Sequence, residues 1–344
     1  MSEETRKKVV LRQVAARAGV SLGTASNVFA GRRGVSQKAR EAVLKAADEL
    51  GYHPAPRTPE PATKTLGFLL RSALEIPLPI NQFYSYVLSG AEQACTERGL
   101  SLLYGTLDAE TKSMTAMPAM IQRRQIDGLL VVGYFSTECF TLLRDTGIPF
   151  VMVDQSDAAF EVDSVVSDNE RGGYLATTYL LQHVPHPIPA MIMGLPNRSS
   201  FYERWLGYRR ALAEYSLPYD ERYVCQVKSA AEEGYHAMKT LLDLPKPPNA
   251  IFCSNDQAAI GALNALHERG IAVPDECSII GFDDIDMAAH TTPPLTTIRV
   301  DKALLGAEGV RLLLDRLAHP EMAARRTTIS VKLIERESVS ISKA

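Results

Sequence analysis

Long apolar runs are missing from this chain. No uninterrupted stretch can span a bilayer, and the charged N-terminus has no apolar signal region. The expectation is a soluble, cytoplasmic protein with no membrane partner. Cysteine is sparse: Cys95, Cys139, Cys225, Cys253 and Cys277 are scattered, mostly inside apolar runs, without any CxxC pair. They read as reduced core thiols. Catalytic and cofactor signatures are also lacking, since no GxGxxG follows a strand and there is no Walker-type phosphate loop, GxSxG or HExxH. His183 and His186 lie in HVPHPIP, where prolines prevent a single helical face, so they read as surface-loop histidines rather than metal ligands. No enzyme, cofactor or metal is expected.

What is present is unevenly charged. Through Arg57 there are eleven basic and five acidic residues, so a head of +6 precedes a body of -9 within a net charge of -3. A cationic head on an acidic body suits phosphate contact by the head alone. Within it, LRQVAARAGVSLGTASNVFA reads as two short helices joined by a tight turn. Leu11, Val14, Ala15 and Ala18 recur at helical spacing, Gly19 marks the turn, and Val20 plugs the angle between the helices. Ser21 suits the N-cap of the second helix, whose inner side carries Ala25 and Val28. Leu22, Gly23, Thr24, Ser26 and Asn27 are left outside, where a major groove would lie.

A third helix follows, with Ser36 as cap, Ala39, Val43, Ala46, Ala47 and Leu50 on one side, and Gly51 as stop. Arg32 and Arg33 in the preceding loop are candidates for the DNA backbone. PAPRTPEPATK, residues 54–64, carries four prolines, which argues for an extended linker, assigned to residues 58–65 between a head of 1–57 and a body of 66–344. In the body, LGFLL, LLYG, GLLVV, FVMVD, AMIMG, AIFCS and SIIGF alternate with amphipathic helical stretches. Continuously apolar short runs suit strands buried on both faces, hence doubly wound parallel sheets in two lobes. The expected division puts 66–163 and 294–325 in lobe one, and 164–293 and 326–344 in lobe two.

In open α/β sheets ligands gather at the carboxyl ends of strands, which singles out Arg71, Tyr134, Asp154, Asn255 and Asp283, with Arg204 early in the helix after AMIMG. Carboxylates, an amide and a guanidinium fork suit a polyol such as a sugar. Phe83, Tyr84, Phe201, Tyr202 and Trp205 offer rings for its C–H faces. Each has an alternative reading: Asp154 and Asp283 as caps, Arg204 as a salt bridge between lobes, and Phe83, Tyr84 and Trp205 as core. Asp256 is read as an N-cap. Arg71 adds positive charge and admits an acidic or phosphorylated ligand.

AxxAGVSxxTxSxV, Ala15 to Val28, resembles the helix-turn-helix of the LacI/GalR family of bacterial transcriptional regulators. The resemblance continues through DGLLVVG (127–133), DNERGGYLAT (168–177), ERWLGYRRAL (203–212), SNDQAAIGAL (254–263), GFDD (281–284) and PPLTTIR (293–299). It implies a small all-α helix-turn-helix head joined to an α/β two-lobed, periplasmic-binding-protein-like domain. It also implies ligand contacts at Asp154, Arg204, Asn255 and Asp283, phosphate anchoring by Ser21, Thr24 and Ser26, and base reading at Leu22, Gly23 and Asn27. Where the family commonly has arginine, Asn27 favours adenine. The family's linker usually forms a hinge helix that wedges a leucine into the minor groove; no leucine stands between His53 and Thr65, so weaker DNA bending is expected.

The expected function is a dimeric repressor of a near-palindromic operator on double-stranded DNA. Its small-molecule effector is most simply a sugar, with a nucleoside or nucleobase or an acidic metabolite as alternatives. The closing ESVSISKA carries no heptad, so dimers and not tetramers are expected. A transport-type binding protein and an enzyme using Asp154 and Asp283 are the rival classes.

Overall fold

The computed structural model describes residues 10–29, 35–50, 52, 65–72, 81–157, 159–228 and 230–340. The chain divides into two units, Met1–Ala62 and Thr63–Ala344.

The first unit contains α1 (Leu11–Ala18), α2 (Leu22–Phe29) and α3 (Gln37–Leu50). Val14 and Ala15 of α1, Ala25 and Val28 of α2, and Val43, Ala46 and Ala47 of α3 form its buried core, with Val20 packed against it. Gly19 ends α1 at φ 67°, a left-handed conformation that lets the Val20 N–H reach back to the Ala15 carbonyl at 3.1 Å. Thr24 N–H donates to Ser21 Oγ at 3.1 Å, the N-cap of α2. Arg32, Arg33 and all of the linker except Thr65 lie outside the described residues.

The second unit runs β1 (Thr65–Arg71), α4 (Tyr84–Thr96), β2 (Ser101–Leu107), α5 (Ala119–Gln122), β3 (Gly128–Val132), α6 (Thr137–Asp145), β4 (Phe150–Val153) and β5 (Ser164–Ser167). It continues with α7 (Asn169–His183), β6 (Pro189–Gly194), α8 (Ser199–Glu214), β7 (Val224–Val227), α9 (Ala231–Leu242), β8 (Ala250–Cys253), α10 (Asp256–Glu268) and β9 (Ser278–Asp283). It closes with β10 (Thr296–Arg299), α11 (Lys302–Ala318), β11 (Arg326–Ile329) and β12 (Lys332–Ile334). One sheet has the order β11-β5-β4-β3-β1-β2 and the other β12-β10-β9-β8-β6-β7. All pairings are parallel except β10 with β12. The central β3, β4 and β8 are buried at every residue, as helices on both faces require.

Three strands correct the expected lobe division. β5 (164–167) pairs with β4 in the first sheet, β10 (296–299) pairs with β9 in the second, and β11 (326–329) returns to pair with β5. The chain crosses between lobes after these strands, at their carboxyl ends, and not before them. LLYG is also not a strand buried on both faces: β2 is a sheet edge, with Leu103 and Tyr104 exposed. His183 closes α7 with its ring 4.1 Å from that of Tyr179, so it belongs to a helix and not a loop. Among the described residues no helix is long and apolar enough to cross a membrane.

Candidate ligand cleft and DNA-reading helix

Strand order reverses beside β1 in the first sheet and beside β6 in the second, so loops leaving the carboxyl ends diverge and open a crevice at each point. The two crevices face one cleft of about 860 Å³, open mouth included. Arg71 closes β1, Tyr134 follows β3 and Asp154 follows β4; from the other lobe come Arg198 and Phe201 after β6, Asn255 after β8, and Asp283 at the end of β9. Phe83 and Tyr84, at the start of α4, complete the wall, their rings edge to face at 5.1 Å.

Asp154 holds a left-handed backbone, φ 62°, which turns its carboxylate into the cleft. Oδ2 accepts the Tyr84 hydroxyl at 3.1 Å, while Oδ1 is buried without a hydrogen-bonding partner. Burial pushes this carboxyl up to about 7; Arg204 pulls it down, and the neighbouring Asp283 charge pushes it further up. Asp283 is also held at positive φ, 109°, and its Oδ1 stands 3.2 Å from Arg204 Nη1, without the alignment of a hydrogen bond. Burial raises its pKa, opposed by Arg204 and Lys302. Lys302 Nζ donates to the Asp283 and Asp284 carbonyls at 2.7 and 2.9 Å, which fixes the turn.

Arg204 is 3% exposed and stacks 3.6 Å over the Phe282 ring. Its Nε donates to Asn169 Oδ1 at 2.9 Å and its Nη1 to the Ser254 carbonyl. Much of the fork is therefore engaged inside lobe two, and its ion-pair partner belongs to the same lobe rather than the opposite one. Across the cleft, Asn197 Nδ2 donates to Tyr134 Oη at 3.2 Å and Ser156 N–H to Ser199 Oγ at 3.2 Å. At the rim, Tyr86 donates to Asp286 at 2.9 Å and Met287 N–H to Gln82 Oε1 at 3.1 Å.

Two sequence expectations need correction. Trp205 does not face this cleft; it lies against Tyr202 and Tyr219 in a separate groove beside Met193 and Val224, with Arg209 over its ring at 4.8 Å. Its place next to Arg204 turns it about 100° around α8. Asn255 and Asp256 exchange the cap: Asn255 Oδ1 accepts the Ala258 N–H at 2.9 Å, although the residue also lines the cleft. Asp256 is wholly buried, accepting Thr297 Oγ1 at 2.6 Å and Ile285 N–H at 2.9 Å, and so ties α10 to β10 and to the loop after β9. Residues not singled out from sequence also line the space, among them Asn81, Gln82, Gln155, Arg198 and Gln257. Arg198 had a usable signal, since it immediately precedes a long helix that follows an apolar strand.

On α2 of the first unit, Ser21, Leu22 and Gly23 are exposed, Thr24, Ser26 and Asn27 half-buried, and Ala25 and Val28 buried. Leu22 is 51% exposed. The surface of α2 thus presents small polar groups and one exposed apolar side chain, a shape that fits a major groove.

Residues 10–55 match the model of the bacterial regulatory proteins, lacI family, and residues 181–339 that of a periplasmic binding protein-like domain. The HTH-type transcriptional repressor PurR of Vibrio campbellii is 32% identical over 334 residues, covering 96% of this chain and 98% of the relative. Among solved structures, the transcriptional regulator CelR–cellobiose complex superposes with a TM-score of 0.73 at 31% identity, covering 96% of this chain and 99% of the other. The lac repressor dimer bound to operator and the anti-inducer ONPF gives a TM-score of 0.70 at 25% identity, covering 97% and 100%.

Proposed function

The chain belongs to the lacI family of bacterial regulatory proteins and is a DNA-binding transcriptional regulator under small-molecule control, and we propose that it is a homodimeric repressor whose effector is a sugar. One observation carries the choice of ligand. Asp154 and Asp283 come from opposite lobes to one cleft walled by aromatic rings; Asp154 presents a buried oxygen without a hydrogen-bonding partner, and Asp283 one that meets only an unaligned Arg204 guanidinium at 3.2 Å among its described contacts. Hydroxyl groups donate to such acceptors, and a polyol offers several from one rigid scaffold. Arg204 and Asn255 frame the same space, while Phe83, Tyr84, Tyr134 and Phe201 supply faces for C–H groups. Cellobiose in the CelR complex is in keeping with this class.

In the DNA-binding unit, Ser21, Thr24 and Ser26 are assigned to phosphates and Leu22, Gly23 and Asn27 to base edges, with Arg32 and Arg33 contacting the backbone. The lac repressor dimer on its operator supports two heads on two half-sites, because a two-fold protein reads a two-fold sequence. A ligand favouring one lobe arrangement then alters operator affinity by linkage.

Selection of bound sequences from random duplex DNA by the purified chain tests the DNA assignment. A near-palindromic site requiring adenine opposite Asn27 is expected. A site without two-fold symmetry contradicts the dimer, and guanine opposite Asn27 contradicts its role. In parallel, thermal unfolding against sugars and nucleosides should show selective stabilisation by a sugar; stabilisation by nucleosides alone overturns the sugar assignment.

A further inference from the structure

Helix α8 borders two spaces. Arg204 lines the cleft, whereas Tyr202 and Trp205, one turn apart, line the separate groove beside β6 and β7. That groove holds about 910 Å³, open mouth included, against about 860 Å³ for the cleft on the same basis. Its rings form a connected platform: Trp205 lies 5.4 Å from Tyr202 at an interplanar angle of 35°, and 6.1 Å from Tyr219, edge to face. The Arg209 guanidinium stands over both Trp205, at 4.8 Å, and Tyr219, at 5.0 Å, a double cation–π contact that fixes the two rings. Met193 and Val224 complete the apolar lining.

Burial does not account for this cluster, because Tyr202 remains 44% exposed. Glu221 and Gln226, both exposed, line the same space, and among the described residues neither side chain makes a hydrogen bond or ion pair. Asp220 beside them is different, being engaged by Arg222. The groove thus joins ring faces to a carboxylate and an amide that are open to a ligand's donors. A saccharide satisfies both: its C–H faces meet the negative π surfaces, and its hydroxyls donate to Glu221 and exchange hydrogen bonds with Gln226. A purely apolar ring would desolvate those two polar groups without pairing them. An anion would meet the charge of Glu221 and a cation that of Arg209, which favours a neutral ligand.

We propose that this groove is a second ligand site, taking a neutral saccharide with its C–H face on Tyr202 and Trp205 and its hydroxyls on Glu221 and Gln226. It stands apart from the reading of the cleft, since no residue lines both spaces. The two sites nevertheless share one element. In the loop after β6 and the first turns of α8, Pro196, Tyr202 and Trp205 line the groove, while Arg198, Phe201 and Arg204 line the cleft. A saccharide in the groove therefore rests on the helix that positions Arg204.

Trp205 is the only tryptophan of the chain, so tryptophan emission reports on this groove directly. The full-length protein is titrated with glucose, cellobiose, maltose and ribose, and with cyclohexanol as a ring bearing a single hydroxyl, in wild type and in Asp154→Asn. At least one sugar is expected to change the emission with the same affinity in both proteins. On the Asp154→Asn background, Tyr202→Ala and Glu221→Ala should each weaken that binding in calorimetric titration by about tenfold or more, the size of a lost ring contact or of a lost hydrogen bond to a charged acceptor. Glu221→Gln should retain part of it, and circular dichroism checks that each variant is folded. An emission change that disappears in Asp154→Asn means that Trp205 senses the cleft through α8; it overturns the second site and leaves the sugar reading of the cleft intact. Affinity unmoved in both folded groove variants, a response to cyclohexanol equal to that of the sugars, or emission unchanged by every sugar at millimolar concentration overturns the second site whatever the cleft binds.

Discussion

Asp154 is held in its cleft by opposing influences whose balance can be measured. Burial favours the protonated acid and outweighs Arg204, so the folded protein holds more protons than the unfolded chain between about 3.8 and about 7. The sign follows by linkage: stability from this group is greatest at the acid end and declines as pH rises through that window. Unfolding of the unliganded protein followed from about pH 5 to about pH 8 should therefore show a loss of stability with rising pH that Asp154→Asn reduces. An unchanged slope in that variant would mean that another group titrates. Asp154 was legible before the fold because it ends an apolar run, and topology sends such ends into a crevice. The same logic pointed to Arg71, Tyr134, Asn255 and Asp283, all of which line the cleft. It failed within helices, where position along the chain does not give rotation about the axis. Arg204 lines the cleft but its neighbour Trp205 faces a different groove, and Asp256, expected as the cap of α10, is a buried tie while Asn255 caps the helix.

Helix α8 carries Arg204, and its distance from α7 fixes where that guanidinium sits. The two helices meet through Gly173 and Gly207: a Cβ at Gly173 would overlap the Arg204 carbonyl, and one at Gly207 the Glu170 carbonyl. Gly173→Ala must push α8 outward. It should cost about 1–3 kcal/mol in denaturant unfolding and weaken binding of the cleft ligand as Arg204 withdraws from Asp283. Wild-type stability and affinity in that variant would show that the helices yield without moving the site. Elements with strong patterns were legible: GLLVV is β3 itself, and the helical spacing of Val14, Ala15, Ala25 and Val28 gave the inner face of the first unit. The short polar strands were not. SVVS, TTIR and RTTI lack a long apolar run: β11 is a mostly uncovered sheet edge, while β5 and most of β10 are buried with serine and threonine standing among their apolar residues. The lobe boundary was misplaced by one strand at each crossing for that reason. LLYG erred in the opposite direction, as apolar residues can also serve an exposed edge.

At the scale of the whole molecule, the effector domain is two pseudo-equivalent sheets with their carboxyl ends turned to a shared cleft, bridged at the rim by Tyr86–Asp286 and Gln82–Met287. Groups that line the cleft belong to both lobes, so a ligand held by both would couple binding energy to lobe arrangement. A ligand with different affinity for two arrangements shifts their populations by that difference and no more. The two-unit organisation was legible from a basic first segment on an acidic remainder together with the helical spacing of that segment and the prolines after it, whereas the linker itself lies outside the described residues. The most direct measurement is operator affinity of the full-length protein by fluorescence anisotropy, on the selected duplex, with and without the sugar that stabilises it, in wild type and Asp154→Asn. The wild type should change affinity by roughly five- to 150-fold, and Asp154→Asn far less at the same ligand concentration. A ligand that saturates the wild-type cleft while operator affinity stays constant would contradict control of DNA binding from this cleft.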